Sequence, residues 1–265
     1  MVGAAYHLGG DVLASVALIA AAEAPRPAEW RIPASEARQG VASGGSYVYA
    51  IDNHRIGKYA LATGRRVASW NGDPKRFPHI NSCTLVGREL VCAASNYPAL
   101  PQASSVEFFD AKRLVHLRSV GLGIRPGWLT AMDRYRGWWW AVFANYDRLR
   151  GQTGRDHRST ILMRMDDAFG QLKAWTFPAT VLARFGPNSA SGASWTADGR
   201  LTVTGHDRPE LYVLSVPPTG TVLEHVATVS VATSGQAIDW DPRDQKLLWS
   251  IDRRRREIVS NRPEL

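Results

Sequence analysis

The chain of 265 residues is 45% hydrophobic and contains 10 tryptophans, which is enough apolar side chain to bury a sizeable core. Its formal charge of +8 permits an acidic partner, but 27 of the 32 basic residues are arginines spread along the chain, without a recognition helix or an RNA-binding motif. The composition therefore predicts one globular domain and does not favour a nucleic-acid partner.

The first residues have the pattern of a secretory signal. Residues 12–24 are an apolar run that ends in Ala22-Glu23-Ala24, the small-residue form of a cleavage site, although no Lys or Arg precedes the run. The run is too short for a transmembrane helix. We therefore predict a candidate signal segment over residues 1–24 and one domain over residues 25–265. Export to the periplasm or the extracellular space is the expected location, and the cytoplasm is the alternative.

Five times along the chain, a short apolar run leads into a small polar cluster and then into a second apolar run. The marker residues of these clusters are separated by 43, 49, 61 and 46 residues: Asn53, Asn96, Asn145, His206 and Asp252. A four-stranded propeller blade takes about 40–50 residues, so the spacing predicts an all-β, five-bladed β-propeller with an insertion in the third blade. Turn-forming residues are expected to join the first two strands of each blade at Gly44-Gly45, Gly87-Arg88, Tyr135-Arg136-Gly137, Asp198-Gly199 and Pro242-Arg243-Asp244.

The fifth blade has room for only three strands, near residues 235–240, 246–251 and 257–261. A propeller closes its ring because an open sheet edge is a template for aggregation. We therefore predict that residues 29–32 (Glu-Trp-Arg-Ile) supply the outer strand of this blade.

The two cysteines, Cys83 and Cys92, flank the predicted turn at Gly87-Arg88. In a two-residue hairpin they face each other at a non-hydrogen-bonded site, where a disulfide is geometrically possible. The alternative is a pair of small buried side chains in register. The sequence has no Cys-x-x-Cys motif and no Cys/His zinc spacing.

Two segments of unusual length are expected on the face that carries the polar clusters. Residues 147–158 form the insertion of the third blade, and residues 178–185 read as a short helix with Pro178 in its first turn and Gly186 after its end. Long loops at one rim of a fold often carry function.

In a propeller, the polar clusters converge at the mouth of the central channel, where we predict a site for a small-molecule ligand. His79 and His206 are the candidate catalytic acid and base, because imidazole titrates near pH 6.5. Asp207 is assigned to a turn, because alternation along a strand would point it away from His206. The predicted substrate-binding residues lie on the same face: Asn53, Asn81, Asn96, Tyr97, Trp128, Asn145, Tyr146, Ser191 and Gln236.

A metal site is the alternative arrangement at this mouth. His54, His79 and His206, with Asp52 or Asp207, could hold a divalent transition metal and make the protein a metal-dependent hydrolase. Otherwise no cofactor is expected.

A non-catalytic propeller that binds a ligand or a protein is the other alternative, because this architecture hosts both uses. The run Arg253–Arg256 is interpreted as a solvated loop and strand edge. The oligomeric state is left open.

Several motifs of the first half carry a resemblance to a known family. Gln39-Gly40-Val41, Tyr47-Val48-Tyr49, the segment 56–64, Phe77-Pro78-His79-Ile80-Asn81 and Gly127-Trp128-Leu129-Thr130 occur in an order that resembles the five-bladed glutamine cyclotransferase family. That family carries a Phe-Gly-Glu-Gly segment whose acid belongs to the active site, and in this chain His79 replaces the acid.

The whole chain also resembles bacterial propellers that are loosely labelled cycloisomerases. It does so through His-Ile-Asn-Ser, Ser-Asn-Tyr-Pro and Thr-Gly-His-Asp-x-Pro-Glu-Leu-Tyr-Val-Leu, in that order. Together the two resemblances imply a small-molecule enzyme whose chemistry is proton transfer of the cyclase, isomerase or lyase kind.

Overall fold

Turn residues divide the apolar sequence into short strands, which pair with their chain neighbours as antiparallel hairpins. The structure is a computed structural model that describes residues 28–147 and 152–265. A first strand, β1 (Trp30–Pro33), precedes the first blade. Blade 1 contains β2 (Gly40–Ser43), β3 (Tyr47–Asp52), β4 (Arg55–Ala60) and β5 (Arg65–Asn71). Blade 2 contains β6 (His79–Val86), β7 (Glu89–Ser95), β8 (Ala103–Asp110) and β9 (Val115–Ile124).

The remaining blades follow in chain order. Blade 3 contains β10 (Trp128–Tyr135), β11 (Trp138–Ala144), β12 (Ile161–Met165) and β13 (Gln171–Thr176). Blade 4 contains β14 (Gly192–Trp195), β15 (Leu201–Thr204), β16 (Glu210–Ser215) and β17 (Glu224–Ser230). Blade 5 contains β18 (Asp239–Trp240), β19 (Leu248–Asp252) and β20 (Glu257–Asn261), completed by β1. The helix α1 (Ala179–Phe185) connects blades 3 and 4, and a 3₁₀ turn (His157–Ser159) lies in the insertion of blade 3.

The first strands of the five blades surround one axis. Each of β2, β6, β10, β14 and β18 contacts the next, and β18 contacts β2. Inner strands such as β2 are buried throughout, whereas outer strands such as β5 are mostly exposed. A separate apolar cluster fills each of the five interfaces between neighbouring blades. The chain is therefore a five-bladed β-propeller, as the repeat spacing predicts.

The ring is closed by the N-terminal strand, as predicted. β1 pairs with β20 in antiparallel register, with Ile32 opposite Ile258. Ile32 is buried in the apolar cluster between blades 5 and 1, and Trp30 packs its ring 5.8 Å from that of Trp249. The first strand of this blade is shorter than expected, because Gly235 and Gln236 have positive φ angles that break the extended backbone.

The predicted turns and the cysteine register are confirmed. All five turns connect the first and second strands of their blades. At the third turn, Arg136 and Gly137 both have positive φ (48° and 79°), as a two-residue type I′ turn requires. Cys83 pairs with Cys92 in the β6–β7 register and forms a disulfide. The helix begins at Ala179, one residue later than the sequence indicates, because Pro178 is extended and serves as its N-cap.

Two carboxyl groups are buried towards the ends of inner strands, away from the polar clusters. The hydroxyl of Ser194 lies 3.3 Å from a carboxylate oxygen of Asp133 and 3.1 Å from one of Asp239. Burial raises the pKa of both carboxyl groups, and the charge of Asp133 raises that of Asp239 further. Both groups therefore favour the protonated, uncharged form more than an exposed carboxyl group does.

No helix among the described residues is long and apolar enough to cross a membrane. The predicted signal segment, residues 1–24, lies outside the described residues.

Replacing Ile32 by Ala tests the closure of the ring. We expect the free energy of unfolding to fall by about 2–5 kcal/mol, because a buried side chain of the closing strand is truncated. Val67, which is 54% exposed on outer strand β5, provides the control, and Val67→Ala should change stability by about 0.5 kcal/mol or less. Urea denaturation measures both values. Equal losses in the two variants would contradict a stabilising role for β1.

Candidate functional site

A cavity of about 340 Å³ opens at the mouth of the central channel, on the face where the polar clusters converge. Its walls come from all five blades or from the segments that join them. They consist of Arg38, Gln39, Asn53, Pro78, His79, Asn81, Tyr97, Pro98, Thr130, Tyr146, Asn188, Ser191, His206, Gln236 and Arg253. The structure thus brings together eight of the predicted site residues: Asn53, Asn81, Tyr97, Tyr146, Ser191, Gln236, His79 and His206.

Two β-bulges aim polar side chains into this cavity. The β6–β7 register skips Asn81, and the β10–β11 register skips Thr130. A bulge bends its strand and redirects the extra residue, and bulges often occur beside active sites. The Asn81 amide donates a 2.7 Å hydrogen bond to the carbonyl oxygen of Leu129, so the two bulged strands are also tied to each other.

Asn96 and Trp128 lie behind the cavity wall instead of on it. Asn96 Oδ1 accepts hydrogen bonds from Trp128 Nε1 and from the backbone N–H of Ala103, both at 3.0 Å. The Trp128 ring is 1% exposed and packs edge-on against Tyr97, with 5.2 Å between ring centroids. It also lies 5.8 Å from the Tyr146 ring. The structure therefore assigns Asn96 and Trp128 to support of the aromatic wall, in contrast to the predicted contact with substrate.

The Asn145 side chain also makes hydrogen bonds to other protein groups and does not line the cavity. It is fully buried, and its amide donates to the carbonyl oxygens of Pro126 and Ser159 at 2.8 and 3.1 Å. Its Oδ1 accepts a hydrogen bond from Gln102 Nε2 at 3.2 Å. These bonds fasten the end of β11 to neighbouring loops, which is the structural use of an Asn at a strand end.

His79 is held against the aromatic wall in a largely buried position. Its ring lies 5.0 Å from that of Tyr97. Burial, and to a lesser degree the charge of Arg253, lowers the pKa of His79 to about 4, against the opposing effect of a hydrogen bond with Asn81. The imidazole is therefore neutral at pH 7.

His206 has a different environment, because a carboxylate orients its ring. Its Nδ1 lies 2.6 Å from Asp207 Oδ1, and Asp207 Oδ2 accepts a 2.8 Å hydrogen bond from the Asn188 amide. Burial alone would raise the pKa of Asp207, but the hydrogen bonds from Asn188 and His206 hold it below its usual value. The interpretation of Asp207 as a turn residue pointing away from His206 is therefore corrected: the chain after β15 is a loop, where strand alternation does not apply.

Arg253 is the functional candidate that sequence reasoning missed. Its Nη1 lies 3.5 Å from His206 Nε2, and it lines the cavity together with Arg38. Burial lowers the pKa of Arg253, and the nearby charges of Arg38 and Arg256 lower it further. Of the run interpreted as solvated, Arg254 and Arg255 are exposed, but Arg253 is half-buried. The available signal was its position after Asp252, in the fifth polar cluster.

The alternative metal site does not assemble from the predicted ligands. Among residues 28–147 and 152–265, only Asp147, Asp156 and His157 bring three ligand atoms within 4.8 Å of one another. Asp147 accepts hydrogen bonds from His157, and Asp156 pairs with Arg158. His54, proposed as a ligand with His79 and His206, is not among the residues of the cavity wall.

The insertion of blade 3 contributes little to the described wall. Tyr146, just before it, lines the cavity. The Asp147–His157 hydrogen bonds fold its two ends together, while residues 148–151 lie outside the described part of the chain.

Solved structures with a similar fold are propellers of diverse kinds. A luciferin-regenerating enzyme matches with a TM-score of 0.51 at 9% identity, over 89% of this chain and 95% of that chain. A chain of the mitotic checkpoint complex matches with a TM-score of 0.47 at 10% identity, over 96% of this chain and 99% of that chain. The WD40 repeats of RRP9 match with a TM-score of 0.46 at 8% sequence identity, over 88% of this chain and 99% of that chain. No family model and no curated protein matches the sequence. At these identities, the likeness shows the propeller fold alone.

Replacing His79 by Gln tests its buried, neutral state. Its folded-state pKa lies below the ordinary value of 6.5, so the unfolded chain binds the proton more tightly, and stability falls as the pH drops from about 6.5 towards 4. Between pH 7 and pH 5, we expect the free energy of unfolding of the variant to fall by about 1–2 kcal/mol less than that of the parent. Chemical denaturation at the two pH values measures this difference. The same pH dependence in both proteins would contradict a depressed pKa.

Proposed function

We propose that the protein is an enzyme that moves a proton on a small molecule bound at the mouth of the central channel. The observation that carries the proposal is the pair of His206 and Asp207 beside Arg253. If Nδ1 of His206 donates to Asp207, Nε2 keeps its lone pair and faces Arg253 at the cavity. This is the arrangement of a general base whose ring is held in one tautomer by a carboxylate.

The wall residues give each step a chemical role. His206 Nε2 removes a proton from the substrate, and Asp207 stabilises the imidazolium that forms. The guanidinium of Arg253 stabilises negative charge that develops on the substrate, for example on an enolate oxygen. His206 then returns the proton to another carbon, which gives an isomerisation, or to a leaving group as its bond to the substrate breaks, which gives an elimination. If an atom of the substrate itself displaces that leaving group, the new bond closes a ring and the reaction is a cyclisation.

The other polar and aromatic residues of the wall orient the substrate. Neutral His79 and the amides of Asn53, Asn81 and Gln236 offer hydrogen bonds, and Tyr97 and Tyr146 offer apolar contact. The glutamine cyclotransferase resemblance supports the same class of chemistry, with His79 at the position of the family's acid. The described wall does not favour calcium, because its residues offer imidazoles and amides and no carboxylate.

The experiment is incubation of the purified protein with a mixture of metabolites, followed by mass spectrometry of retained and converted compounds. His206→Gln and Asp207→Asn should each reduce conversion at least a hundredfold while the melting temperature stays close to that of the parent, because neither side chain belongs to the core. His54→Gln is the matched control, since His54 lies in the turn between β3 and β4 on the same face but does not line the cavity.

Conversion that survives in His206→Gln would contradict the proposed base. Retention of a compound without conversion would instead support the non-catalytic, ligand-binding alternative.

We also propose that the protein is exported. The disulfide between Cys83 and Cys92 supports this location, because disulfides persist mainly in oxidising compartments. Intact-mass analysis of natively expressed protein, alkylated with and without prior reduction, should give a mass difference of two alkyl groups. Complete alkylation without reductant would contradict export in the oxidised form.

A further inference from the structure

A second depression, of about 850 Å³, adjoins the channel mouth between blades 4 and 5. We call it the arginine recess. It shares Arg38, His206, Gln236 and Arg253 with the cavity at the mouth. Its lining consists of Arg38, His206, Asp207, Ala232, Thr233, Ser234, Gln236, Ile251, Asp252, Arg253, Arg254, Arg255 and Arg256.

Positive charge dominates this recess. Five arginines line it, and its two aspartates are already engaged by other groups. Asp207 accepts hydrogen bonds from its own loop and from Asn188, and Asp252 pairs with Arg255 and Arg31. The carboxylates that belong to the lining therefore leave most of the positive charge uncompensated.

One nearby carboxylate is shared among several of these cations. Asp52 lies 3.9 Å from Arg38 and 3.7 Å from Arg256, and it also pairs closely with Arg55. A single negative charge divided among three guanidinium groups cannot balance them. The local potential at the recess is therefore positive even without the contribution of Arg253.

Arg253 is a half-buried arginine of this recess. Within the described parts of the chain, no carboxylate is found within 4.0 Å of its guanidinium. Burial and the charges of Arg38 and Arg256 disfavour the charged guanidinium of Arg253, and Asp52, which forms no ion pair with it, offsets them only in part. A guanidinium is also a planar fork of donors that matches the two oxygens of a carboxylate or a phosphate.

We propose that the arginine recess binds the anionic group of the substrate, a phosphate ester or a carboxylate, by means of Arg253 and Arg38. This assignment rests on the proposed function, because it makes the substrate a small molecule with an acidic group in the recess and its reacting atoms beside His206. His206 and Arg253 line both depressions, so one molecule can occupy the two at once. Arg253 thereby selects the substrate class as well as stabilising charge.

The test uses thermal denaturation of the full-length protein in inorganic phosphate, in malonate or in chloride, all at one ionic strength. We expect phosphate or malonate to raise the melting temperature of the parent by several degrees relative to chloride. Stronger stabilisation by phosphate identifies a phosphate ester as the preferred group, and stronger stabilisation by malonate identifies a carboxylate.

Arg253→Gln should weaken the apparent affinity for the preferred anion at least tenfold, and Arg253→Lys, which keeps the charge but not the fork, should weaken it less. In chloride, Arg253→Gln should be at least as stable as the parent, because removing the cation relieves its repulsion with Arg38 and Arg256. Arg65→Gln is the matched control, because Arg65 is exposed on outer strand β5 and belongs to neither depression.

Equal anion stabilisation in the parent and in Arg253→Gln would overturn the proposal. The proposal would also be overturned if Arg65→Gln lost as much anion stabilisation as Arg253→Gln. The same holds if the parent bound poly-glutamate but neither small anion. The result is independent of catalysis: anion binding that depends on Arg253 and persists in His206→Gln supports the recess even when no conversion is found. In that case only the enzymatic proposal fails.

Discussion

The pairing of β1 with β20 is the constraint on which the rest of the structure depends. It joins a strand from the start of the described chain to one from its end and leaves no blade with three strands. Because the ring is closed, the inner strands of all five blades begin at the same end of one channel. The cavity at that end can exist only in the closed ring, since its walls come from every part of the chain.

The two ends of the inner strands carry different ionisable residues. Arginines gather at the mouth, where Arg38 and Arg253 line the cavity. Asp133 and Asp239 lie further along the inner strands, and burial raises the pKa of both. Between these regions, the bulges at Asn81 and Thr130 turn neutral side chains towards the axis. The cationic side chains therefore lie at the mouth, and the two buried carboxyl groups lie away from it.

The two histidines of the mouth, His79 and His206, lie in different environments. His79 packs on Tyr97 in a largely buried site, which lowers its pKa to about 4 and keeps it neutral. His206 instead has Asp207 Oδ1 at 2.6 Å from its Nδ1, a contact that fixes the orientation of the ring. One cavity thus contains a neutral imidazole and an imidazole oriented by a carboxylate.

The sequence by itself determined the five blades, their turns, the closing strand and the Cys83–Cys92 register, because these follow from local spacing, turn residues and strand counting. It also named eight of the residues that line the cavity at the mouth. Only the tertiary structure decided what individual side chains contact. Asn145 binds Gln102, 43 residues away, and Arg253 approaches His206, 47 residues away, across neighbouring blades. Such partners depend on how blades pack around the axis, which no local pattern encodes.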